Sequence, residues 1–363
     1  MEGRPMKILG IESSCDDTSA AVVEETAAGL AVLSNIVSSQ IGIHRLYGGV
    51  VPEIAGRAHA ENISGAVYGA LEAAGTGPDE LSAVAVTTHP GLIGALLVGV
   101  NFAKAFAFAH SLPLIPVNHI HAHTAAAYLL PEPPVPPFLS LVVSGGHTSF
   151  YAVDSYVSYR EIGGTRDDAA GEAFDKVGRV MGLPYPAGAA MEELAFAGDL
   201  KYGKMRSGED AASRGRGRKR AKAPRRISDL PSPALREGLD FSFSGLKSAS
   251  LNFLHSAKMR GESVDPELFA SDFTSAVASG ISSKIAEALS VSGCSSLVLA
   301  GGVAANRHLR AAVASECERL GAKLFLPPVS LCGDNAAMVA AQGVYGYRNG
   351  MAADLYVNAS AYD

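Results

Sequence analysis

Both halves of this chain begin with three short runs of β-forming residues. The first set spans residues 7–37, and the second lies between Phe138 and Gly163. Such runs, bounded by turn residues, are typical of neighbouring antiparallel strands. The runs are KILGIE, AAVVEE and AVLSNIV in the first half and FLSLVVS, TSFYAV and SYREIG in the second. Because this repetition indicates a repeated structural unit, we predict an α/β fold with two duplicated lobes and a ligand cleft between them.

Helical stretches and further strands follow each set of runs. A long helix is predicted from about Pro52 to Ala74, because Pro is favoured in the first helical turn and Gly75 follows the last one. The other predicted elements are strands at 82–88, 113–117, 296–300 and 323–326, a buried helix at 91–110 and a helix from Asp168. The alternation is that of an α/β protein.

Three turns in the chain are suited to binding an anion. GIESSCDDT (10–18) and SGGHT (144–148) each join two strands through small residues, and AGGVAANRHL (300–309) leads from a strand into a helix. Exposed backbone N–H groups in such turns, and at helix N-termini, bind phosphate. Either strand–strand turn alone would be interpreted as an ordinary hairpin. Together the three indicate the actin, hexokinase and heat-shock chaperone type of fold, in which two lobes enclose ATP.

The segment NHIHAH (118–123) places two histidines four residues apart, directly after a strand-like run. On a helix, His119 and His123 would share one face about 6 Å apart, which is close enough to bind one metal ion. His121 lies between them and cannot face the same way. The alternative is that these histidines are polar surface or capping residues.

Composition limits the class of protein. The 363 residues are 48% hydrophobic, which predicts two domains with a sizeable core. We find no run long enough for a membrane span or a leader and therefore expect a cytoplasmic protein. The four cysteines occur without a CxxC pair, which argues against a disulfide framework and a thiolate zinc site.

The net charge of -6 is unevenly distributed. Residues 201–226 contain 11 Lys and Arg against two acids, so this segment carries 11 − 2 = +9 and the remainder carries −15. Two interpretations stay open: a solvated insertion without a role, or a contact with a polyanion such as RNA.

Eight motifs resemble those of one known family, in the same order and spacing. They are GIESSCDDT, YGGVVPEIAGRAH, NHIHAH, VVSGGHT, DDAAGEAFDKVGR, LDFSFSGLK, AGGVAANRHLR and CGDNAAM. The chain is similar to the TsaD/Gcp family of tRNA N6-adenosine threonylcarbamoyltransferases, formerly labelled O-sialoglycoprotein endopeptidases. The resemblance implies transfer of threonylcarbamoyl from threonylcarbamoyl-AMP to the N6 amine of the adenosine 3′ of the anticodon, in tRNAs reading codons that begin with A.

The resemblance also implies particular site residues. The metal ligands would be His119, His123 and Asp334, a set that suits Fe2+, with Zn2+ as the alternative. Asp16 is a candidate for organising water or the attacking amine. Apart from the resemblance, Asp175 would be interpreted as an exposed helix charge. The implied contacts to the substrate and its AMP moiety are Val142, Val143, Ser144, Gly145, Gly146, Asp175, Gly188 and Asn306.

The implied organisation is an N-terminal lobe (1–137), a C-terminal lobe (138–330) with a basic insertion at about 199–230, and a final segment (331–363). This segment would return to the first lobe and supply Asp334. The implied partners are tRNA, a TsaB-like paralogue and a TsaE-like ATPase if the protein is bacterial, with the adenylate supplied by a TsaC/Sua-type enzyme. No membrane partner is expected.

Three features depart from the usual pattern of the family. His121 stands where Glu is common, and Ala187 and Ala189 replace Gly and Pro in the loop around Gly188. The third departure is the long basic insertion. These features make the role of His121 and the shape of the adenosine loop open questions.

Two other functions are weighed against the transferase. A metallopeptidase could use His119 and His123 for zinc, but HExxH chemistry requires Glu where this chain has Ile120. An ATP-binding regulator of the sugar-kinase or chaperone type would account for the anion-binding turns but leaves the histidine pair unexplained.

Overall fold

The computed structural model describes residues 5–206, 227 and 230–362. The predicted basic insertion therefore lies largely outside the described residues. In the part that is described, two sheets of five strands each are flanked and separated by helices.

The first sheet contains the predicted antiparallel start. Its strand order is β3-β2-β1-β4-β5, in which β1, β2 and β3 pair antiparallel while β4 and β5 are added in parallel. The strands are β1 (Lys7–Glu12), β2 (Asp17–Thr26), β3 (Gly29–Ser39), β4 (Ala83–His89) and β5 (Leu114–Asn118).

The second sheet repeats this arrangement. Its order is β10-β9-β6-β7-β8, with β6, β7 and β8 antiparallel and β9 and β10 parallel. The strands are β6 (Phe138–Val143), β7 (Thr148–Ser155), β8 (Ser158–Gly164), β9 (Ser296–Ala300) and β10 (Lys323–Phe325). Since the orders correspond strand for strand, the prediction of a duplicated α/β lobe is confirmed.

Four helices accompany the first sheet: α1 (Ile41–His44), α2 (Pro52–Ala73), α3 (Ile93–His110) and α4 (His119–Ala125). Pro52 occupies the start of α2, and Gly75 follows its end with a left-handed φ of 57°, as the sequence predicts. Among the described helices, α3 alone is long and apolar enough to cross a membrane. Its Leu96, Val100 and Phe106 are buried, which is the placement of a core helix.

The second sheet is covered on one face by helices that precede β9 and by one that follows it. Phe174, Phe269 and Phe273 of these helices pack with Leu141 and Leu299 of the sheet. The helices are α5 (Ala170–Val180), α6 (Gly188–Arg206), α7 (Ser244–Met259), α8 (Pro266–Ser282), α9 (Ile285–Ser292) and α10 (Arg307–Leu320).

The last helix, α11 (Ala336–Arg348), returns to the first sheet and packs closely on it. A Cβ added to Gly10 would lie 2.3 Å from the carbonyl oxygen of Ala336, and one added to Gly343 would lie 2.4 Å from the Cβ of Ala85. The Ala336 N–H donates to the Ser19 hydroxyl at 2.8 Å. Only glycine at these positions permits so close an approach.

The two sheets face each other across α4 and α11, and we call the faces that meet these helices the inner faces. The inner face of the first sheet is rich in small residues such as Ala21 and Ala85. That of the second sheet packs Phe138 and Tyr151 around Tyr128, which follows α4. Residues of α4 and α11 belong to both clusters, so these helices connect the lobes.

Candidate metal centre and nucleotide pocket

Helix α4 begins at the first histidine because Asn118 caps it. The Asn118 side-chain oxygen accepts hydrogen bonds from the N–H groups of Ile120 at 2.7 Å and His121 at 3.1 Å. Asn is among the strongest N-cap residues. The cap therefore sets His119 and His123 one turn apart at the start of the helix, at the edge where β5 ends.

The chain brings His119, His123 and Asp334 together. The Nε2 atoms of His119 and His123 lie 3.6 Å and 3.4 Å from Asp334 Oδ1, and one potential ligand atom from each residue lies within 4.8 Å of the others. Asp334 lies two residues before α11. The packing of α11 on the first sheet places Asp334 next to the two histidines. The group is a candidate metal site with two imidazoles and one carboxylate.

A buried carboxylate orients the first histidine. Glu12, which is fully buried at the end of β1, accepts a hydrogen bond from His119 Nδ1 at 3.0 Å. It is held in place by the Thr87 hydroxyl at 2.7 Å and the Ser14 N–H at 2.6 Å. With Nδ1 donating to Glu12, Nε2 presents its lone pair toward Asp334, as in carboxylate–histidine–metal arrangements.

The electrostatics of the group fit a cation. Burial would raise the pKa of Asp334, but the adjacent imidazoles of His119 and His123 outweigh it and hold that pKa well below its usual range. His123 is 1% exposed, and neither of its ring nitrogens meets the criteria for a hydrogen bond within the described part of the chain. Buried polar atoms are rarely left unsatisfied, and a metal ion would satisfy one of them.

Two further acids, Asp16 at the end of the first turn and Asp17 at the start of β2, lie close enough to Asp334 to be affected by its charge. Burial raises the pKa of Asp16, and the negative charge of Asp334 raises it further. Burial likewise raises the pKa of Asp17 to about 7, with Asp334, Asp16 and Glu12 adding to the effect. Because these negatively charged carboxylates repel one another, a bound cation would lower the electrostatic cost of holding them together.

A separate cavity of about 300 Å³ lies in the second lobe. Of the predicted substrate contacts, Gly145, Asp175, Gly188 and Asn306 line it. The remaining lining residues are Gly171, Phe174, Pro186, Ala189, Glu192, Gly302, Val303 and Ala305. Apolar walls with a few polar groups are typical of a small-molecule site.

The other four predicted contacts, Val142, Val143, Ser144 and Gly146, are not among the residues that line this cavity. Val142 and Val143 are fully buried in β6 and pack into the cores on opposite faces of the sheet, so their side chains do not line the cavity. Ser144 forms the turn that follows, where its hydroxyl accepts the His147 N–H at 3.2 Å. Gly146 belongs to the same turn. At this turn a ligand would contact backbone groups.

Comparison with known proteins assigns the family. The model of the TsaD family, described as tRNA N6-adenosine threonylcarbamoyltransferase, matches residues 31–341. Curated proteins of that name from Geobacillus kaustophilus and Desulforapulum autotrophicum are 48% and 46% identical, over 97% and 93% of this chain and 95% and 93% of their own lengths. The chain belongs to the tRNA N6-adenosine threonylcarbamoyltransferase family.

Solved structures support the fold of this family member. The crystal structure of T.kodakarensis HypF is similar over 97% of this chain and 50% of its own, with a TM-score of 0.58 and 13% identity. Full-length HypF in a phosphate- and nucleotide-bound form covers 99% of this chain and 47% of its own, with a TM-score of 0.57 and 14% identity. At such low identity these similarities show the two-lobed ATPase-like fold alone.

The departure from the family pattern at Ala187 lies in a loop that contacts α5. The N–H of Ala187 donates to Asp175 Oδ1 at 2.7 Å, and a Cβ added to Gly178 would lie 2.3 Å from that of Ala187. The loop before Gly188 is therefore packed directly on α5. Burial raises the pKa of Asp175, and the Ala187 N–H partly offsets this effect. Asp175 is thus a cleft carboxylate and not a freely exposed helix charge.

Glu192 is a pocket residue that the sequence reasoning missed. It lines the cavity from α6 and accepts a hydrogen bond from the Arg307 side-chain Nε at 3.1 Å. Beside it, Asn306 caps α10 by accepting the Leu309 N–H at 3.0 Å. Glu192 stands only four residues after the predicted Gly188, one helical turn away, and this spacing could have indicated it.

Two arginines cross the cleft between the lobes. Arg45 of the first lobe donates from Nε to the Tyr185 carbonyl at 3.2 Å, and Arg179 of the second lobe donates to the Gly48 carbonyl. A Cβ on Gly49 would lie 3.2 Å from the Arg179 guanidinium. These contacts join the lobes next to the loop that borders the cavity.

Proposed function

We propose that this protein transfers the threonylcarbamoyl group of threonylcarbamoyl-AMP to the N6 amine of the adenosine 3′ of the anticodon, in tRNAs reading codons that begin with A. The proposal rests on the cluster of His119, His123 and Asp334, which lies beside the first predicted anion-binding turn, in a chain 48% identical to curated transferases. A nucleotide-sized cavity in the second lobe supplies a place for the AMP moiety.

We infer that the cluster holds one divalent metal, Fe2+ in preference to Zn2+. Two histidines and one carboxylate are the ligand set of many non-haem Fe(II) sites and leave coordination positions open. When bound, the metal would supply Lewis acidity toward phosphate or carbonyl oxygens of the adenylate. Glu12 would keep His119 in the ligating tautomer.

The protein's own residues would position an already activated substrate. Threonylcarbamoyl-AMP is a mixed anhydride, so catalysis requires orientation and charge stabilisation without a covalent enzyme intermediate. Asp175 would accept hydrogen bonds from the ribose hydroxyls, and backbone N–H groups near Gly145 would bind the phosphate. The charge of Asp16 raises the pKa of Asp175 and the charge of Asp334 raises that of Asp16, which supports a position of Asp16 between the two sites. There it would orient water or the incoming amine.

The proposed partners follow from family membership. tRNA is the acceptor named for the curated relatives. We propose that the protein is cytoplasmic and acts with a TsaB-like paralogue and a TsaE-like ATPase, on adenylate from a TsaC/Sua-type enzyme. The proposed division into lobes at 1–137 and 138–330, with 331–363 returning, accords with the contacts of α11.

We propose that the basic segment contacts tRNA phosphates, although residues 207–226 lie outside the described residues. Deleting 214–226 removes eight Lys and Arg. The salt dependence of tRNA binding should then flatten by about one unit of log slope for each phosphate that is no longer neutralised. An unchanged slope over a salt series would return the segment to the alternative of a solvated insertion.

A reconstituted assay tests the function. Purified protein, the partner proteins, threonylcarbamoyl-AMP and a tRNA transcript should yield the modified nucleoside, detected by mass spectrometry. A transcript with guanosine in place of the target adenosine is the control. If the Geobacillus relative modifies the tRNA under the same conditions and this protein does not, the proposal is wrong.

The metallopeptidase alternative gains no support from the site. Ile120 is 1% exposed and packs toward the second sheet, so no carboxylate follows His119 in the way that HExxH chemistry requires. The same assay, run beside a peptide-hydrolysis assay, separates the two functions and also an ATP-binding regulator.

A further inference from the structure

His121 stacks on a tyrosine of the second lobe. The rings of His121 and Tyr159, which lies on β8, are 3.9 Å apart between centroids and inclined by 9°. Tyr151 of β7 meets the His121 ring edge-on at 6.0 Å and 82°. The histidine between the two metal-binding candidates therefore faces away from them and contacts aromatic residues instead.

The Tyr159 hydroxyl connects this stack to α11. It donates to Gln342 Oε1 at 3.0 Å and lies 2.7 Å from the hydroxyl of Tyr128, in the turn after α4. Gln342 is 7% exposed and donates in turn to the Tyr156 carbonyl at 2.8 Å. Because buried hydrogen-bonding groups are costly to leave unpaired, this network fixes both its members and the helices that carry them.

The two helices in contact with Tyr159 are those that supply the candidate ligands. Helix α4 carries His119 and His123, and α11 begins two residues after Asp334. The ligands come from distant parts of the chain, so their separation depends on how α4 sits against α11. A second contact of α4 with the second sheet, between the hydroxyls of Thr124 and Ser140 at 2.7 Å, leaves α11 untouched.

We propose that Tyr159 is a positioning residue for the metal centre, and that His121 is its stacking partner and not a ligand. One side chain from the second lobe holds α4 through the ring stack and α11 through its hydroxyl. It thereby sets the distance between the histidine pair and Asp334. This inference rests on the proposed metal site.

The size of the effect is bounded. A residue that does not touch the ion can raise affinity only by the amount by which its contacts differ between the metal-bound and metal-free states. The stabilisation that one aromatic pair contributes limits the change in metal affinity to about two- to tenfold. Loss of a ligand would cost far more, so the two roles are separable by magnitude.

Cobalt titration tests the proposal in the full-length protein. Visible absorption of Co2+ reports both affinity and coordination geometry. Tyr159→Leu and His121→Ala should each weaken cobalt binding by about two- to tenfold and alter the spectrum. His121→Phe should restore both, because a phenyl ring can stack on Tyr159. Tyr202→Phe is the control for loss of a tyrosine hydroxyl, since the Tyr202 hydroxyl donates to Asp265, just before α8 in the second lobe.

Each outcome decides the question. Binding of AMP in the second lobe verifies folding, and if Tyr159→Leu fails to fold, the two His121 variants decide alone. Parental affinity and spectrum in His121→Ala, or a failure of His121→Phe to restore them, would overturn the role of the stack. A parent protein that binds no cobalt would instead overturn the metal site, and the inference with it.

Discussion

The two sheets have the same strand order, yet their inner faces are lined by different kinds of residue. Small residues such as Gly10 and Ala85 line the first, and α11 lies so close that a Cβ on Gly10 would meet backbone. Tyr151 and its aromatic neighbours line the second. Small residues permit close helix contact, whereas aromatic rings fill space and restrict orientation. One duplicated scaffold thus supplies both proximity and orientation to the helices between the lobes.

The turns at the ends of the equivalent strands differ as well. After β1, Asp16 ends the turn and Asp17 begins β2, and the Ser14 hydroxyl of that turn lies 3.2 Å from His119 Nδ1. After β6 the turn is Ser144 to His147, and its Gly145 lines the cavity. Carboxylates favour a cation, and exposed backbone N–H groups favour phosphate. Duplication gives the two turns equivalent positions, while their residues differ: carboxylates lie at the end of the first turn and exposed glycines lie in the second.

Removing a ligand should separate the lobes most sharply. Loss of a residue that only supports a metal ligand costs about 10- to 100-fold in metal affinity. Loss of a ligand should cost more, so His123→Ala should lower metal affinity at least about 100-fold, and transfer activity should fall with it. AMP affinity should be unchanged, because the cavity lies in the other lobe. Metal titration and calorimetry measure the two separately. His121→Ala is the control and should lose no more than about tenfold. Equal loss of metal and AMP binding would show that the two sites are not independent.

The close contact of α11 should be visible in stability. Gly10→Ala should lower the free energy of unfolding by about 2 kcal/mol, because the added methyl group has only backbone to displace. Gly65→Ala is the matched control on the exposed face of α2, where nothing lies within 4 Å of an added Cβ; it should stabilise the protein by about 0.5–1 kcal/mol. Denaturant unfolding measures both. Similar midpoints for the two variants would mean that the first inner face is not tightly packed.

A change in the second lobe should have the converse effect on binding. Asp175→Ala should weaken AMP binding about tenfold, because the variant has no charged acceptor for the ribose, and metal affinity should stay as in the parent. Asp175→Asn keeps an acceptor for the Ala187 N–H and should lose less. Isothermal calorimetry gives both values. Parental AMP affinity in Asp175→Ala would remove this residue from the site.

The acidic turn should also make the first lobe sensitive to pH. With the pKa of Asp17 raised to about 7, the folded chain retains a proton that the unfolded chain has released. This contribution is full below the ordinary carboxyl pKa and is lost as the pH rises through about 7. Unfolding free energy without added metal should therefore fall by about 1 kcal/mol between pH 6 and pH 8. Asp17→Asn should remove that decline, and an unchanged decline would assign it to another group.

Local pattern sufficed for most of the fold. The bounds of β1 and β9 agree with the predicted runs, and the repeated order of β-runs predicted both sheets. These features depend on neighbouring residues, so the sequence encodes them directly. The histidine pair was equally accessible, because four-residue spacing on one helix is a local property.

The supports of the site were not accessible in this way. The contact of Glu12 with His119 joins residues 107 apart, and Tyr159 and Gln342 are 183 apart. No periodicity reports which side chains will meet across two lobes. Glu12 lies inside a motif whose pattern indicates only an anion-binding turn. Its role in orienting His119 follows from its burial beside that imidazole.

The packing of α11 on the first sheet also has a consequence for the order of events during synthesis. A ribosome makes β1 early, but the alanine-rich face of that sheet is only partly covered, by α4, until α11 emerges, and the Ala336 N–H then reaches a serine 317 positions earlier. Contacts of such long range form late in folding. Asp334 is therefore synthesised long after both histidines, and a chain that ends before it has two of the three candidate metal ligands and an incompletely covered apolar surface.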